Sequence, residues 1–249
     1  MNDHQASTQP LRLSDLGRVL RLGWADFRAE PLYGMFFAGI YVLAGLALVR
    51  IGAGLFTWTL TLSLGFPLMA PFLAVGLYEV SRRRERGLAP AFRDVLGVIW
   101  NERTRQIPWA GAIITFYFLF WSFFAHMLFA LFLGPSALMG PPDDLQTYLT
   151  GRGLAMTLTQ FGIGAALAFL LFSLTAVSLP MLLDREVDFV TAMLASLRLT
   201  RANLAVMLVW AALIAALTLL ALVPFFLGLF LVLPVLGHAS WHLYRRLCP

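Results

Sequence analysis

The sequence has little charge, a single cysteine and no lysine. Only 12% of its 249 residues are charged while 60% are hydrophobic, whereas soluble domains average about a quarter charged and about half apolar. This composition excludes a soluble globular enzyme and a disordered chain. The lone Cys248 permits no internal disulfide, which also excludes a disulfide-stapled secreted domain. All 18 basic residues are arginine, and they give a net charge of +5.

Six apolar runs are long enough to cross a membrane, which takes about 20 residues. They lie at about 34–56, 57–80, 107–133, 154–183, 204–222 and 225–244. The last two form one stretch of about 40 residues, which as a single helix would be about 60 Å long, twice the hydrocarbon thickness. We therefore expect a break near Pro224 and an all-α bundle of six membrane helices arranged as three hairpins.

The arginines predict the orientation of these helices. Sixteen of the eighteen lie on one side of the predicted membrane segments, and only Arg50 and Arg152 lie on the other. Because cytoplasmic loops are enriched in arginine, we expect a multi-pass protein of the bacterial inner membrane with both termini in the cytoplasm. The basic charge then indicates orientation and contact with the lipid bilayer, and no nucleic-acid partner is expected. Headgroup contact is predicted for the arginines that end two of the returning helices, namely Arg82, Arg83, Arg84, Arg86, Arg245 and Arg246.

The chain is expected to comprise a disordered tail over 1–10 and one integral membrane domain over 11–249. Within this domain, three similar units run over about 11–83, 88–186 and 187–246. Each unit is a cytoplasmic-side amphipathic helix followed by a membrane hairpin. In the first amphipathic helix, the apolar stripe comprises Leu13, Leu16, Leu20, Trp24 and Phe27. Such helices are expected in the headgroup layer, and the alternative is that they pack as ordinary cytoplasmic helices.

The few ionisable residues near membrane depth are the candidates for a functional site. Alignment of the returning helices on Pro71, Pro180 and Pro234 brings five such side chains to similar depth: Asp184, His238, His242, Asp188 and Glu79. Since ionisable groups in membrane segments usually face protein or water, Asp184 and His238 are candidates for a shared polar or proton-accepting site. The other interpretation makes these side chains interfacial anchors, with Asp188 capping the helix that begins at Phe189.

No motif for catalysis or for a cofactor is found. Phosphate-binding loops, nucleophile elbows and haem-attachment motifs are absent from the sequence. His238 and His242 have the spacing of two metal ligands on one helix, but Ala239 stands where a zinc-peptidase helix carries its glutamate. We therefore predict no metal, no cofactor and no enzymatic activity.

The C-terminal third resembles domain-of-unknown-function family 2189, which comprises predicted inner-membrane proteins of Gram-negative bacteria. Four runs carry the resemblance: Pro180-Met181-Leu182-Leu183-Asp184-Arg185, Arg201-Ala202-Asn203, Pro224-Phe225-Phe226-Leu227-Gly228-Leu229 and Leu233-Pro234-Val235-Leu236-Gly237-His238-Ala239-Ser240-Trp241-His242-Leu243-Tyr244-Arg245. It implies a polytopic membrane protein without an assigned activity. Some members carry a cytochrome c oxidase label, but a haem–copper core needs about six grouped histidine ligands. Only an accessory role beside such a complex is compatible with the few histidines of this chain.

Three functional hypotheses follow. The leading one is a non-enzymatic scaffold or assembly protein for another membrane complex, because catalytic motifs are absent and one membrane segment is rich in aromatic residues (Phe116, Phe118, Phe120, Trp121, Phe123 and Phe124). The second is a small-solute or ion transporter that uses Asp184 and His238. The third and weakest is a membrane enzyme with His238 and His242 as an acid–base pair.

Overall fold

The computed structural model describes residues 10–52, 66–102, 104–135 and 145–249. Within these ranges the chain forms α-helices and no strand, which confirms the all-α class. The helices are α1 (Leu13–Ala29), α2 (Pro31–Arg50), α3 (Phe66–Glu85), α4 (Phe92–Glu102), α5 (Ile107–Leu133), α6 (Leu145–Leu149), α7 (Gly151–Thr175), α8 (Ser178–Asp184), α9 (Phe189–Ala202), α10 (Leu204–Leu222) and α11 (Leu229–Leu247). The predicted tail over 1–10 lies outside the described residues except for Pro10.

Among the described residues, four helical segments are long and apolar enough to cross a membrane. They are Pro31–Arg50, Ile107–Leu133, Gly151–Asp184 and Leu204–Leu222, and they coincide with four of the six predicted membrane segments. The other two predicted segments, 57–80 and 225–244, correspond to α3 and α11, whose last turns carry arginines. Residues 57–65 of the first of these lie outside the described part of the chain. The chain is thus a membrane protein, and its described part contains four candidate spans.

Two breaks divide the long apolar stretches. Helix α10 ends at Leu222 and α11 begins at Leu229, which confirms the break expected near Pro224. The second break separates α7 from α8, and the hydroxyl of Ser196 on α9 bridges it. This hydroxyl accepts a hydrogen bond from the Val177 backbone N–H at 3.1 Å and donates one to the Ser173 carbonyl at 2.8 Å. Ser196 thereby satisfies backbone groups that the break leaves without a helical partner.

Helix α1 packs along the second half of α11, at the end of the bundle where α3 and α11 terminate in arginines; we call this the arginine-rich end. The two helices approach closely at Gly23, where an added Cβ would lie 2.6 Å from the Val235 carbonyl oxygen. The buried face of α1 therefore comprises Leu16, Val19, Gly23 and Asp26. Of the predicted apolar stripe, Leu16 is buried, whereas Leu13 is 61% and Trp24 is 42% exposed. The helices meet along a glycine, which turns the contact face away from the largest apolar side chains, and contact of those side chains with the headgroup layer stays a prediction.

Candidate functional site

Asp26 accepts hydrogen bonds from two other helices at the arginine-rich end. Its Oδ2 atom lies 2.7 Å from Ser81 Oγ of α3 and 2.8 Å from His242 Nε2 of α11, and its Oδ1 atom lies 2.9 Å from Arg84 Nε. Ser81 Oγ lies a further 2.8 Å from His238 Nδ1. Asp26, Ser81, Arg84, His238 and His242 form what we call the Asp26 network, and it ties α1 to α3 and α11.

The electrostatics of the Asp26 network favour an ionised carboxylate. Burial alone would raise the pKa of Asp26, but hydrogen bonds from His242, Ser81 and Arg84 together lower it to about 2. Asp26 itself is only 7% exposed. A buried carboxylate with three donors links the helices that carry the donors. Removing one of these donors is costly, because it leaves the buried negative charge of Asp26 less compensated.

The proton positions in the Asp26 network follow from the number of donors. Because a carboxylate only accepts and a serine hydroxyl carries one proton, Ser81 donates to Asp26 and accepts from the Nδ1–H of His238. His238 Nε2 is then an acceptor, and it is buried with no hydrogen-bond partner among the described residues. In a catalytic serine–histidine pair the histidine instead takes the serine proton. Ser81 is also fully buried, so this trio lacks the arrangement of an accessible nucleophile.

Asp184 belongs to a second, separate group at the same end. Its Oδ2 accepts a hydrogen bond from the Tyr244 hydroxyl at 2.8 Å, and Arg86 and Arg245 approach its two oxygens at 3.6 Å. His238, in contrast, contacts Ser81 of the Asp26 network. Asp184 and His238 thus have different hydrogen-bond partners, and a polar site shared by the two stays a prediction. Alignment on the prolines placed the two residues at similar depth, but it carried no information on which neighbour each side chain faces.

The remaining predicted site residues have structural partners. Glu79 is buried and pairs with Arg82 at 2.6 Å and with Arg83 at 2.9 Å. Asp188 is the N-cap of α9 and accepts from the Thr191 backbone N–H at 2.9 Å. This is the capping role that the sequence suggests for it. Hydrogen bonding by the Thr191 side chain, and then by its backbone, lowers the pKa of Asp188.

The six arginines expected at lipid headgroups each pair with a carboxylate of the chain. The pairs are Arg82–Glu79, Arg83–Glu79, Arg83–Asp94, Arg84–Asp26, Arg86–Asp184, Arg245–Glu85, Arg245–Asp184 and Arg246–Asp15. These pairs connect α1, α3, α4, α8 and α11. Their lipid contacts stay a prediction, while the pairs between different helices link those helices at the arginine-rich end.

Two small cavities open at the arginine-rich end. One of about 250 Å³ is lined in part by Glu85, Trp241 and Arg245, and one of about 280 Å³ in part by Glu102 and Arg105. Arg82 and Asp184 line both cavities. Burial raises the pKa of Glu102, and the adjacent Arg105 opposes this. No cluster of three or more potential metal ligands occurs among the described residues.

A family model described as predicted integral membrane protein (DUF2189) matches residues 59–184, just over half of the chain. The chain belongs to the DUF2189 family. This confirms the family that the C-terminal residues suggest, although only 180–184 of those residues lie inside the match. The DUF2189 match includes Ser81, Arg84 and Asp184, and it leaves out α1 and α11. No curated protein and no solved structure matches the chain.

Sequence reasoning missed Asp26 and Ser81, which connect the two histidines. A signal was present for Asp26, because it follows Leu16, Val19 and Gly23 at helical spacing and so shares their face. An acidic residue on that face needs a partner. No comparable signal marks Ser81, since a single serine in an apolar helix does not by itself indicate a hydrogen bond to another helix.

Proposed function

We propose that this DUF2189 protein is a non-enzymatic scaffold or assembly protein for another complex in the bacterial inner membrane. The observation that carries the proposal is the exposure of α5. This helix has 27 residues, yet only 6% of its most apolar stretch is buried within the chain, compared with 39% for α2 and 44% for Gly151–Asp184. A helix so little covered by its own chain has most of its surface free for lipid or for a partner helix.

The most exposed large side chains of α5 lie on one stripe. Phe116 is 72% and Phe123 is 70% exposed, and their spacing of seven residues places them on the same face of the helix. The stripe comprises Trp109, Phe116, Phe120, Phe123, Met127 and Leu131. Aromatic side chains and methionine are enriched in protein interfaces, because they bury a large area with few rotatable bonds.

The engagement of the polar side chains at the arginine-rich end in contacts between helices supports a non-enzymatic role. Ser81 is buried and donates a hydrogen bond to Asp26, while Asp184 and Glu79 are engaged by arginines and Tyr244. In these contacts, the polar side chains bind other side chains of the protein, as expected if they stabilise the fold.

The proposed topology has six membrane helices in three hairpins, with both termini in the cytoplasm. Two features support it. Sixteen of eighteen arginines lie on one side of the predicted membrane segments, and the ends of α3, α8 and α11 meet at the arginine-rich end through Arg82 and Arg245. Arginine on one face is the pattern of cytoplasmic loops.

Photo-crosslinking in intact cells tests the scaffold proposal. Benzoylphenylalanine replaces Phe116 or Phe123 on α5, and Leu219 or Leu220 on α10 as matched controls with 65% and 66% exposure. We expect one discrete protein adduct from the α5 positions and lipid adducts alone from α10. The double variant Phe116→Ala/Phe123→Ala should then lower co-purification of that protein about tenfold or more. Lipid adducts alone from both helices would overturn the scaffold proposal.

A transporter is the second candidate, because Asp184 and Arg82 stand between the two polar cavities. Proton entry into pyranine-loaded proteoliposomes tests it. If this candidate is right, the wild-type protein conducts faster than empty vesicles, Asp184→Asn abolishes the flux and the exposed Asp94→Asn preserves it. Flux equal to that of empty vesicles for all three proteins removes proton transport as the function.

A further inference from the structure

The turn between α10 and α11, residues 223–228, has no polar side chain. From Leu219 to Gly237, no side chain can donate or accept a hydrogen bond. The side chains that point away from the protein are apolar and uncovered: Val223 is 77%, Phe225 is 69% and Leu227 is 54% exposed. A surface of this kind is unfavourable in water and is stable against lipid chains.

The backbone of this turn forms its own hydrogen bonds. The N–H groups of Val223, Phe225, Phe226, Leu227, Leu229, Phe230, Leu231 and Val232 all donate to carbonyls between Leu220 and Gly228, at 2.9–3.3 Å. To achieve this, Phe225 and Phe226 adopt positive φ values of 49° and 66°, a conformation that is uncommon for aromatic residues. In the hydrocarbon core of a membrane, backbone N–H groups must form hydrogen bonds within the protein, because no water is present to accept them.

The packing of α11 on α2 gives the depth of the turn. Going along α2, Gly34 faces Pro234, Gly39 faces Phe230 and Gly45 faces Phe226, so the two helices run antiparallel. Helix α2 has 20 residues, a length of about 30 Å that matches the hydrocarbon thickness, and Glu30 and Arg50 mark its two ends. Phe226 therefore lies five residues, or about 7.5 Å, short of the Arg50 end of α2. Since the Arg50 side chain can extend outward toward water, the membrane boundary lies at or beyond Arg50 and therefore beyond Phe226.

We propose that the turn between α10 and α11 stays inside the bilayer, in the leaflet opposite the arginine-rich end, with Val223, Phe225 and Leu227 against lipid acyl chains. The α10–α11 pair is then a membrane-embedded hairpin that enters and leaves on the arginine-rich side without reaching the far aqueous phase. Phe226 anchors the turn to α2 at Gly45, where an added Cβ would lie 3.1 Å from its ring.

Single-cysteine labelling tests this placement. In a Cys248→Ala background, Phe225→Cys is compared with Ile51→Cys, which lies just after Arg50 and is matched in exposure at 71% against 69%. A membrane-impermeant maleimide is added to right-side-out and to inverted vesicles. We expect Ile51→Cys to react in one orientation, and Phe225→Cys to react in neither until detergent is added. Reaction of Phe225→Cys from the same side as Ile51→Cys would overturn the proposal.

Depth-dependent quenching gives a second measurement that does not depend on sidedness. Bimane attached at position 225 should be quenched more strongly by lipids with a nitroxide in the middle of the acyl chain than by lipids with a headgroup nitroxide. Bimane at position 51 should show the reverse order. Stronger headgroup quenching at position 225 would refute the embedded turn. Val223→Cys, with the native residue 77% exposed, replaces Phe225→Cys if the latter is poorly folded.

Discussion

Replacing Asp26 by asparagine is expected to destabilise the fold by about 2 kcal/mol near neutral pH. Asparagine keeps the size of the side chain but removes the charge to which Ser81, Arg84 and His242 donate. One pKa unit corresponds to about 1.4 kcal/mol, so the fall from 3.8 to about 2 accounts for this magnitude. Because Asp26 is only 7% exposed, solvent screening removes little of it.

The sign of the pH dependence follows from the lowered pKa. A carboxylate with a lower pKa in the folded state stabilises that state above its unfolded pKa, and the stabilisation disappears as the pH falls through the folded value. The contribution of Asp26 is therefore present at neutral pH and is lost between about pH 4 and about pH 2. The wild-type protein and the Asp26→Asn variant should converge in stability across this range.

Thermal unfolding in lipid nanodiscs measures the effect. At pH 7 we expect Asp26→Asn to lower Tm by roughly 5 °C. Asp94→Asn is the matched control, because Asp94 also pairs with an arginine, at 2.8 Å, but its side chain is 45% exposed. An exposed pair contributes at most about 1 kcal/mol, so this variant should change Tm little. Equal Tm values for the two variants would refute the argument that burial makes the Asp26 network stabilising.

Two further predictions concern packing and the α7–α8 break, and both are read from Tm under the same conditions. Gly23→Ala should destabilise the protein because the new Cβ meets the α11 backbone at 2.6 Å, whereas Gly17→Ala, with nothing within 4 Å, should stabilise α1 by up to about 1 kcal/mol. Equal effects would contradict the close approach of the two helices. Ser196→Ala should lose about 1–3 kcal/mol because it leaves the Val177 N–H buried without an acceptor. Ser240→Ala removes only a bond within one helix turn and should be nearly neutral; an equally neutral Ser196→Ala would contradict the bridging role.

The ends of several helices could be predicted from the sequence because strong local signals mark them. The expected segments 107–133 and 204–222 coincide with α5 and α10. Pro108 and Gly134 delimit α5, and Pro224 marks the turn that follows α10. These signals act within a few residues, so they do not depend on how the helices pack.

The partners of the site residues could not be predicted in the same way. His238 and His242 were recognised as a helix-face pair, but their partners lie on helices that are distant in sequence: Ser81 is 157 residues from His238, and Asp26 is 216 residues from His242. Which helices pack together depends on how closely their backbones can approach. For α1 and α11, the missing side chain of Gly23 permits the close approach. A single sequence gives the periodicity of a face but not the identity of its neighbour.

The Asp26 network also bears on the order of events during synthesis. Ribosomes add roughly 5–20 residues per second, so the 216 residues between Asp26 and His242 take roughly 10–40 s to make. During that interval α1 exists without the helix against which its Gly23 face packs, and Asp26 lacks His242, one of its three hydrogen-bond donors. Through the exposed Leu13 and Trp24, the nascent α1 can bind to the membrane surface until α11 has been synthesised. Closure of the network by α11 is then a late step of folding, and it joins the earliest helix to the last.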